Sequence, residues 1–203
     1  ERDESGGVAL GTKPPASNNP FSGGKGSLKE GGVRLPAIVN WPGKIKPAVV
    51  NEPLHHVDLM PTLLALAGGL GDKSKPFDGK DAWGTIAQGK SSPHEDILIN
   101  VEAFRGAIRK GKWKLIKVAI MPEKIELFDL EKDPSEKENV ANQNPDVARE
   151  LEARLLAYAK QQKMSEWLKA QGDFLGFQGE TVLDQGDNVD GGLPTEKPAL
   201  PKK

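Results

Sequence analysis

A lysine enclosed by glycines lies in residues 23–28, with the sequence GGKGSL, and the segment EGGVR follows at residues 30–34. Glycine residues let a backbone approach a bound group closely and adopt positive φ angles. The ammonium group of a lysine in such a loop is a compact charge with three donors, which suits a phosphate- or sulfate-like anion. These residue types make Lys25 a candidate anion-binding residue. The alternative is an ordinary glycine-rich connection with a solvated lysine.

Further short motifs follow this run in a fixed order. They are WPGKI at 41–45, HVDLMPTLL at 56–64, DGKD at 78–81, AIRKGKWKL at 107–115 and ELFDLEKDPSEKEN at 126–139. Together with GGKGSLKEGGVRLP at 23–36, the ordered set resembles the type I sulfatases (arylsulfatases) of the alkaline-phosphatase-like superfamily. Each motif is modest alone, but their order is specific, and the resemblance covers roughly residues 3–160.

The resemblance implies an α/β fold and a reaction. The chain would be the C-terminal part of an alkaline-phosphatase-like sulfatase domain, followed by a small α+β subdomain. The family hydrolyses sulfate esters with a formylglycine hydrate that attacks sulfur, while a calcium ion and basic side chains hold the sulfuryl group. By this resemblance Lys25 is a catalytic residue that contacts the substrate sulfate. The lysines nearby, Lys13 and Lys29, do not match the family lysine.

The resemblance also points to metal ligands at the start of the chain. The family's S-D-N-G-G segment supplies an Asp-Asn pair, and residues 3–7 (DESGG) occupy its place. Asp3 matches the aspartate, whereas Glu4 stands where asparagine is expected. Carboxylate oxygens suit a hard cation such as calcium, but two ligands alone could not hold the ion. Solvated charges at the end of the chain are the alternative for both residues.

The nucleophile of the family has no counterpart in this sequence. Formylglycine forms from Cys or Ser in a C/S-x-P-x-R motif, and the chain contains no cysteine. Ser91 precedes Pro93 at the right spacing, but Glu95 occupies the place of the arginine. We therefore expect this chain to be the C-terminal part of a longer protein, and to be inactive alone. No export signal is visible in it, and the family suggests a periplasmic or secreted location.

Composition excludes some classes of function. The 203 residues include 28 Lys+Arg and 29 Asp+Glu, interspersed along the chain, so nucleic-acid binding has no electrostatic basis. No apolar stretch approaches the ~20 residues that span a bilayer. We expect the longest apolar run, at 63–70, to be a short buried helix. The sequence indicates a sulfate-ester substrate only through the resemblance, and it indicates neither its identity nor an oligomeric state.

Apolar periodicity and turn residues predict the order of the elements. A buried strand is expected at 33–40, helices at 59–67 (with Asp58 as N-cap), 82–88 and 145–163, and strands at 97–101, 104–109, 113–118 and 125–130. These strands should form a four-stranded antiparallel sheet with one covering helix. We assign 1–90 to the catalytic domain, 91–170 to the sheet-plus-helix subdomain and 171–203 to a largely disordered tail.

Other charged residues have structural interpretations. Glu30 and Arg34 are expected to form an ion pair that fixes the turn, or else to support the site. His55 and His56 lack the spacing of a metal site, and His94 is expected to be exposed. Strand alternation predicts one solvated basic face, with an anionic polysaccharide as a less favoured occupant. That face would hold most of a local basic cluster formed by Lys110, Lys112, Lys114 and Lys117.

Two alternative functions stay open at this point. The first is a non-catalytic module that binds glycans or a partner chain. The second is a phosphodiesterase or phosphatase of the same superfamily. A C/S-x-P-x-R motif in the upstream sequence would select the sulfatase.

Overall fold

The structure is a computed structural model that describes residues 17–69, 76–102, 105–119 and 123–161. The chain divides into two units, Glu1–Leu155 and Leu156–Lys203. The sheet and the glycine-rich loop belong to the first unit. Of the second unit, the structure describes residues 156–161. The expected tail at 171–203 lies outside the described residues.

A four-stranded antiparallel sheet forms the centre of the first unit. Its strands are β1 (Ile97–Val101), β2 (Arg105–Lys110), β3 (Trp113–Val118) and β4 (Lys124–Asp129). They lie in sequence order, so each pair is joined by a short connection. Gly111 and Lys112 turn the chain between β2 and β3, where Lys110 pairs with Trp113. The sheet predicted from the sequence is confirmed, with strand bounds that differ by one residue at most.

Helix α4 (Pro145–Ala159) covers one face of this sheet. Leu151 and Leu155 are buried, and the side chain of Leu155 lies against the backbone of Gly106 in β2. A Cβ at that position would meet both Leu155 methyl groups at 3.1 Å. The predicted covering helix is therefore confirmed from 145 to 159, but it ends in a turn at 160–161 and not at 163.

The opposite face of the sheet carries a second apolar cluster. Its fully buried members come from β2, β3 and β4 and from the residue after β4: Ala107, Ile116, Phe128 and Leu130. Leu28, from the glycine-rich segment, packs on this cluster. Adjacent residues in β2, β3 and β4 are buried, so these strands are covered on both faces. The loop that bears Lys25 thus lies next to the second core of the sheet.

The segment from 30 to 69 differs from expectation. Residues 30–33 form a short helix, α1 (Glu30–Val33), and the predicted strand at 33–40 is absent. Ile38 is 95% exposed, and no described strand lies beside this segment to pair with it. Helix α2 (Leu59–Leu66) forms where predicted, but Leu63 is 62% exposed, so the expectation of a buried helix is wrong for the described residues.

Asp58 has a different role from the predicted N-cap of α2. It is the last residue of a 3₁₀ turn (His56–Asp58) and has helical backbone angles. Its carboxylate therefore bonds to the start of that turn, and it makes no capping hydrogen bond to α2. Its Oδ2 accepts a hydrogen bond from the backbone N–H of His55, and its Oδ1 accepts one from Lys80. His94 Nε2 lies 2.8 Å from the same Oδ1, with a side chain only 10% exposed. The expectation that His94 is exposed is therefore wrong.

Helix α3 (Trp83–Gln88) ends before Gly89, as predicted. Thr62 links α2 to the start of α3, because its hydroxyl accepts a hydrogen bond from the N–H of Ala82. Asp58 and Thr62 together tie the 3₁₀ turn, α2 and the start of α3 into one assembly. In the described part of the chain, no helix has both the length and the apolar character needed to cross a membrane.

The buried Asp58 carboxylate should make stability depend on acid pH. Burial opposes its ionisation, but the N–H groups of Lys80 and His55 and the His94 ring outweigh this and lower the pKa of Asp58. The ionised group therefore stabilises the fold above its ordinary pKa of 3.8, and this contribution is lost as pH falls through the lower folded-state pKa. Asp58→Asn should reduce the free energy of unfolding at pH 7 by about 1–3 kcal/mol.

Urea denaturation between pH 7 and pH 2 measures this effect. The Asn variant should lose less stability than the unmodified protein as the pH falls below 4, because it has no carboxylate to protonate. Asp146→Asn is the matched control, since the Asp146 side chain is 89% exposed. An acid profile of the Asp58 variant that equals that of the unmodified protein would contradict the assignment.

Candidate functional site

Lys25 lies in a tight turn of the glycine-rich loop. The N–H of Ser27 donates to the carbonyl of Gly24 over 2.9 Å, which places Lys25 and Gly26 in the two central positions. Gly26 has a φ of 87°, a conformation that side chains rarely adopt. Lys25 itself is exposed, and among the described residues its ammonium has neither an ion pair nor a hydrogen bond. Its charge is therefore free to meet an anion.

The glycine pair of EGGVR lies directly under this loop. A Cβ on Gly31 would meet the carbonyl oxygen of Gly23 at 2.4 Å, and one on Gly32 would meet the oxygens of Ser27 and Gly24 at 2.2 and 2.5 Å. The obstructing atoms are backbone, which cannot rotate away. The N–H of Gly31 also donates to Ser22 over 2.8 Å. The loop and α1 are therefore packed backbone to backbone, which only glycine allows.

Both ends of the loop are attached to the connection that follows β4. At one end, the Ser22 hydroxyl donates to the carbonyl of Ser135 over 2.5 Å, and the Ser135 hydroxyl donates to the carbonyl of Pro20 over 2.6 Å. At the other end, Lys29 Nζ donates to the carbonyl of Glu136 over 3.2 Å. Lys29 also lies over the Phe128 ring, so it has structural partners that Lys25 lacks.

A third attachment lies in the middle of the loop. Arg105 Nη1 donates to the carbonyl of Gly26 over 2.8 Å, next to Lys25 in sequence. Arg105 belongs to β2, so the sheet holds the turn itself as well as the ends of the loop. Nothing in the sequence pattern distinguished Arg105, because its contact joins segments that are far apart in the chain.

A cluster of buried charges lies at the foot of the loop. Lys114 is fully buried in β3, and its Nζ lies 2.9 Å from Glu30 Oε1 and 2.9 Å from Glu136 Oε1. The backbone N–H of Glu30 donates to Glu136 Oε2 over 2.5 Å. We call Glu30, Lys114 and Glu136 the buried cluster. Burial raises the pKa of Glu136, and the Lys114 charge and the Glu30 N–H oppose that rise.

The buried cluster corrects two expectations. The expected ion pair between Glu30 and Arg34 is present at 3.8 Å, but Glu30 is buried and lies closer to Lys114, at 2.9 Å, so its expected exposure at a turn is what changes. Lys114 was expected on a solvated basic face, but it shares its side of β3 with Ile116 and Val118, which face the second apolar cluster. Those apolar neighbours two and four residues away are the signal that could have shown Lys114 to be buried.

The other lysines of the expected basic face are neutralised by carboxylates. Lys110 pairs with Glu95 and Glu150, and Lys112 pairs with Asp129. Lys117 pairs with Glu123 and Glu152. The interpretation of these residues as one solvated basic face is therefore wrong, because Lys114 is buried and each of the other three is paired with a carboxylate.

The expected metal ligands, Asp3 and Glu4, lie outside the described residues, as does Lys13. In ranges 17–69, 76–102, 105–119 and 123–161, no group of three His, Asp or Glu side chains could hold a metal ion. The rings of His55 and His56 are 4.6 Å apart, and His55 Nδ1 accepts a hydrogen bond from the backbone of Val57. This pair has a structural explanation, as expected.

Comparison with known proteins agrees with the motif order. The chain matches the family model described as N-sulphoglucosamine sulphohydrolase, C-terminal, over residues 24–162. It is 34% identical to an N-acetylgalactosamine-6-O-sulfatase of Bacteroides thetaiotaomicron over 64% of this chain and 28% of that protein. It is 33% identical to arylsulfatase A of Bos taurus over 81% of this chain and 36% of that protein.

A solved structure gives the same result for the fold. It comes from work on the metabolism of multiple glycosaminoglycans by Bacteroides thetaiotaomicron, and it matches with a TM-score of 0.60 and 32% identity. The match covers 68% of this chain and 32% of the other, so the chain spans about a third of that protein's length. The α/β, alkaline-phosphatase-like fold class is thereby confirmed. Since the family model covers most of the chain, this protein belongs to the sulfatase family and matches its C-terminal region.

Proposed function

We propose that the complete protein hydrolyses sulfate esters and that Lys25 binds the sulfuryl group that is transferred. The observation that carries this proposal is the exposed, unpaired Lys25 ammonium in a turn whose two ends and centre are each attached to the sheet unit. Membership of the sulfatase family supports the reaction class. The relatives are named for sugar and aryl sulfates, so the proposed substrate is a sulfate ester without further definition.

The chemistry of sulfate-ester hydrolysis explains why a held lysine is useful. When water replaces the alcohol, the S–O bond to the alcohol breaks and negative charge builds on the leaving oxygen and on the sulfuryl oxygens. An ammonium that is already in place stabilises this charge without rearrangement, which is commonly the largest catalytic contribution. An attached loop supplies that placement, whereas a freely moving lysine would first have to be ordered.

The proposal includes two components outside the described residues. Asp3 and Glu4 would provide oxygen ligands for a calcium ion, together with residues elsewhere in the complete protein. Hard carboxylate donors of this kind suit calcium. Bound there, the ion would add positive charge beside the sulfuryl oxygens. The nucleophile, a formylglycine residue by family resemblance, would come from the rest of the complete protein, so this chain alone would be inactive.

The exposed apolar residues support a longer protein. Leu35 and Ile38 are 83% and 95% exposed, and Leu63 on α2 is 62% exposed. Large apolar side chains that are this exposed are typical of residues covered by another part of a protein. We propose that further polypeptide of the sulfatase domain covers this surface and pairs with residues 33–40 as a strand, as the sequence pattern predicts.

The test of the proposed function is Lys25→Ala in the complete protein. Removal of a charge that acts in the transition state should lower kcat by about 100-fold or more. Lys25→Arg should restore only part of the rate, because a planar guanidinium does not replace a compact ammonium. Turnover of an aryl sulfate and thermal melting are measured on the same samples.

Lys132→Ala is the matched control for this experiment. Lys132 is exposed, and its side chain has no partner among the described residues. We expect it to change neither kcat nor the melting temperature. A near-normal kcat of the Lys25→Ala variant, with a lowered melting temperature, would show Lys25 to be structural.

A separate prediction concerns the metal. Asp3→Ala in the complete protein should raise the calcium concentration that gives half-maximal activity at least about tenfold, because one charged ligand is lost. Calcium titration after chelation measures this directly, and the calcium-dependent rise in melting temperature gives a second readout. Glu138→Ala, a change in an exposed residue, is the control. An unchanged calcium dependence of the Asp3 variant would remove Asp3 from the ligand set.

A further inference from the structure

The buried cluster brings together one residue from each of three separate motifs. Glu30 belongs to EGGVR, Lys114 to the WKL strand and Glu136 to the DPSEKEN connection. These side chains are 3%, 0% and 1% exposed, respectively. The two carboxylates each lie 2.9 Å from the single ammonium. Residues separated by up to 106 positions in the chain thus meet at one point beneath the Lys25 loop.

Stability alone is a poor explanation for such a cluster. Removal of three charges from water is unfavourable, and well-packed apolar residues in place of a buried ion pair are often at least as stable. Among the described groups, the Lys114 ammonium at 2.9 Å is the partner that Glu136 Oε1 has. Glu136 also has a φ of 53°, which is unfavourable for a residue with a side chain. Strain of this kind is often found where function requires a particular geometry.

The contacts of the cluster lead directly to the loop. The Glu136 carboxylate accepts the N–H of Glu30, which is the first residue of α1 and follows the loop. The Glu136 carbonyl accepts Lys29 Nζ, and the neighbouring residue Ser135 exchanges hydrogen bonds with Ser22 and Pro20 before the loop. Residues 135 and 136 therefore hold both ends of the segment whose turn presents Lys25.

We propose that Lys114 and Glu136 are positioning residues for Lys25. Lys114 fixes the Glu136 carboxylate from inside the sheet, and Glu136 in turn fixes the end of the loop and the start of α1. Neither side chain reaches the loop surface, since both are buried, so they act on the substrate through Lys25. This inference rests on the proposed function of Lys25.

A double-mutant cycle in the complete protein tests the proposal. The variants are Glu136→Gln, Lys25→Ala and the combination of the two. Glu136→Gln preserves shape and leaves Lys114 paired with Glu30. With Lys25 present, it should lower kcat/KM by about 10-fold, the usual size for a change one step behind a functional group. In the Lys25→Ala background it should have less than about a twofold effect, because residues that act through one another are not additive.

A control separates positioning from general stability. Lys117→Met removes a paired lysine from the opposite face of the same strand, where it contacts Glu123 and Glu152. It should leave kcat/KM unchanged in both backgrounds. All assays are made well below the melting temperature of each variant. Ser22→Ala, which deletes an uncharged attachment of the loop, replaces Glu136→Gln in the cycle if that variant does not fold.

The outcomes are distinct. If Glu136→Gln, or Ser22→Ala in its place, lowers kcat/KM equally with and without Lys25, the positioning role is overturned and the proposed function stays intact. If that variant keeps a normal kcat/KM when Lys25 is present, while Lys25→Ala lowers it, the positioning role is also overturned. A Lys25→Ala variant with normal activity would overturn the proposed function and this inference together. A loss seen only when Lys25 is present supports both.

Discussion

The pairing of Lys114 with Glu30 and Glu136 inside the sheet unit is the interaction that the arrangement of the site depends on. Lys114 is the second residue of β3, and its ammonium has a carboxylate from α1 and another from the connection after β4, each at 2.9 Å. Removal of Lys114 would leave two buried carboxylates without a compensating charge, which is strongly destabilising. The three segments are thus bound to a common position, and the glycine-rich loop has little freedom to move away from the sheet.

Backbone packing completes this constraint. Gly31 and Gly32 let the loop approach α1 more closely than any side chain would permit, and Arg105 holds the carbonyl of Gly26 from the sheet. Lys25 is left exposed and unpaired, whereas Lys29, Lys110 and Lys114 have partners. The structure therefore leaves Lys25 available to bind an anion, whereas these three lysines are engaged within the fold.

Much of the fold follows from the sequence because it depends on local patterns. The four strands, the covering helix and the end of α3 are set by apolar periodicity and turn residues, which short windows of sequence contain. The strand predicted at 33–40 is absent because a strand depends on a distant partner and not only on its own sequence. No described strand lies beside this segment. Periodicity reports that the segment is apolar but does not supply the partner that would bury it.

The site was predictable only where a motif marked it. Lys25 was identified from its glycine neighbours, but the burial of Lys114 and the partnership of His94 with Asp58 depend on contacts between segments distant in the chain. Ile116 lies on the same face of β3 as Lys114, and this apolar neighbour indicated that the lysine is buried. Charged side chains are usually exposed, so the residue type of Lys114 predicted exposure despite its apolar neighbours in the strand.

The central claim is that the fold presents the Lys25 ammonium to the sulfuryl group of a substrate. The most direct measurement is a crystal structure of the complete protein with a bound sulfate ester or inorganic sulfate in its active site. The account predicts that Lys25 Nζ lies within about 3 Å of a sulfate oxygen, as in a charge-assisted hydrogen bond. An occupied site in which the Lys25 side chain points to solvent, with another cation in contact with the sulfate, would contradict it.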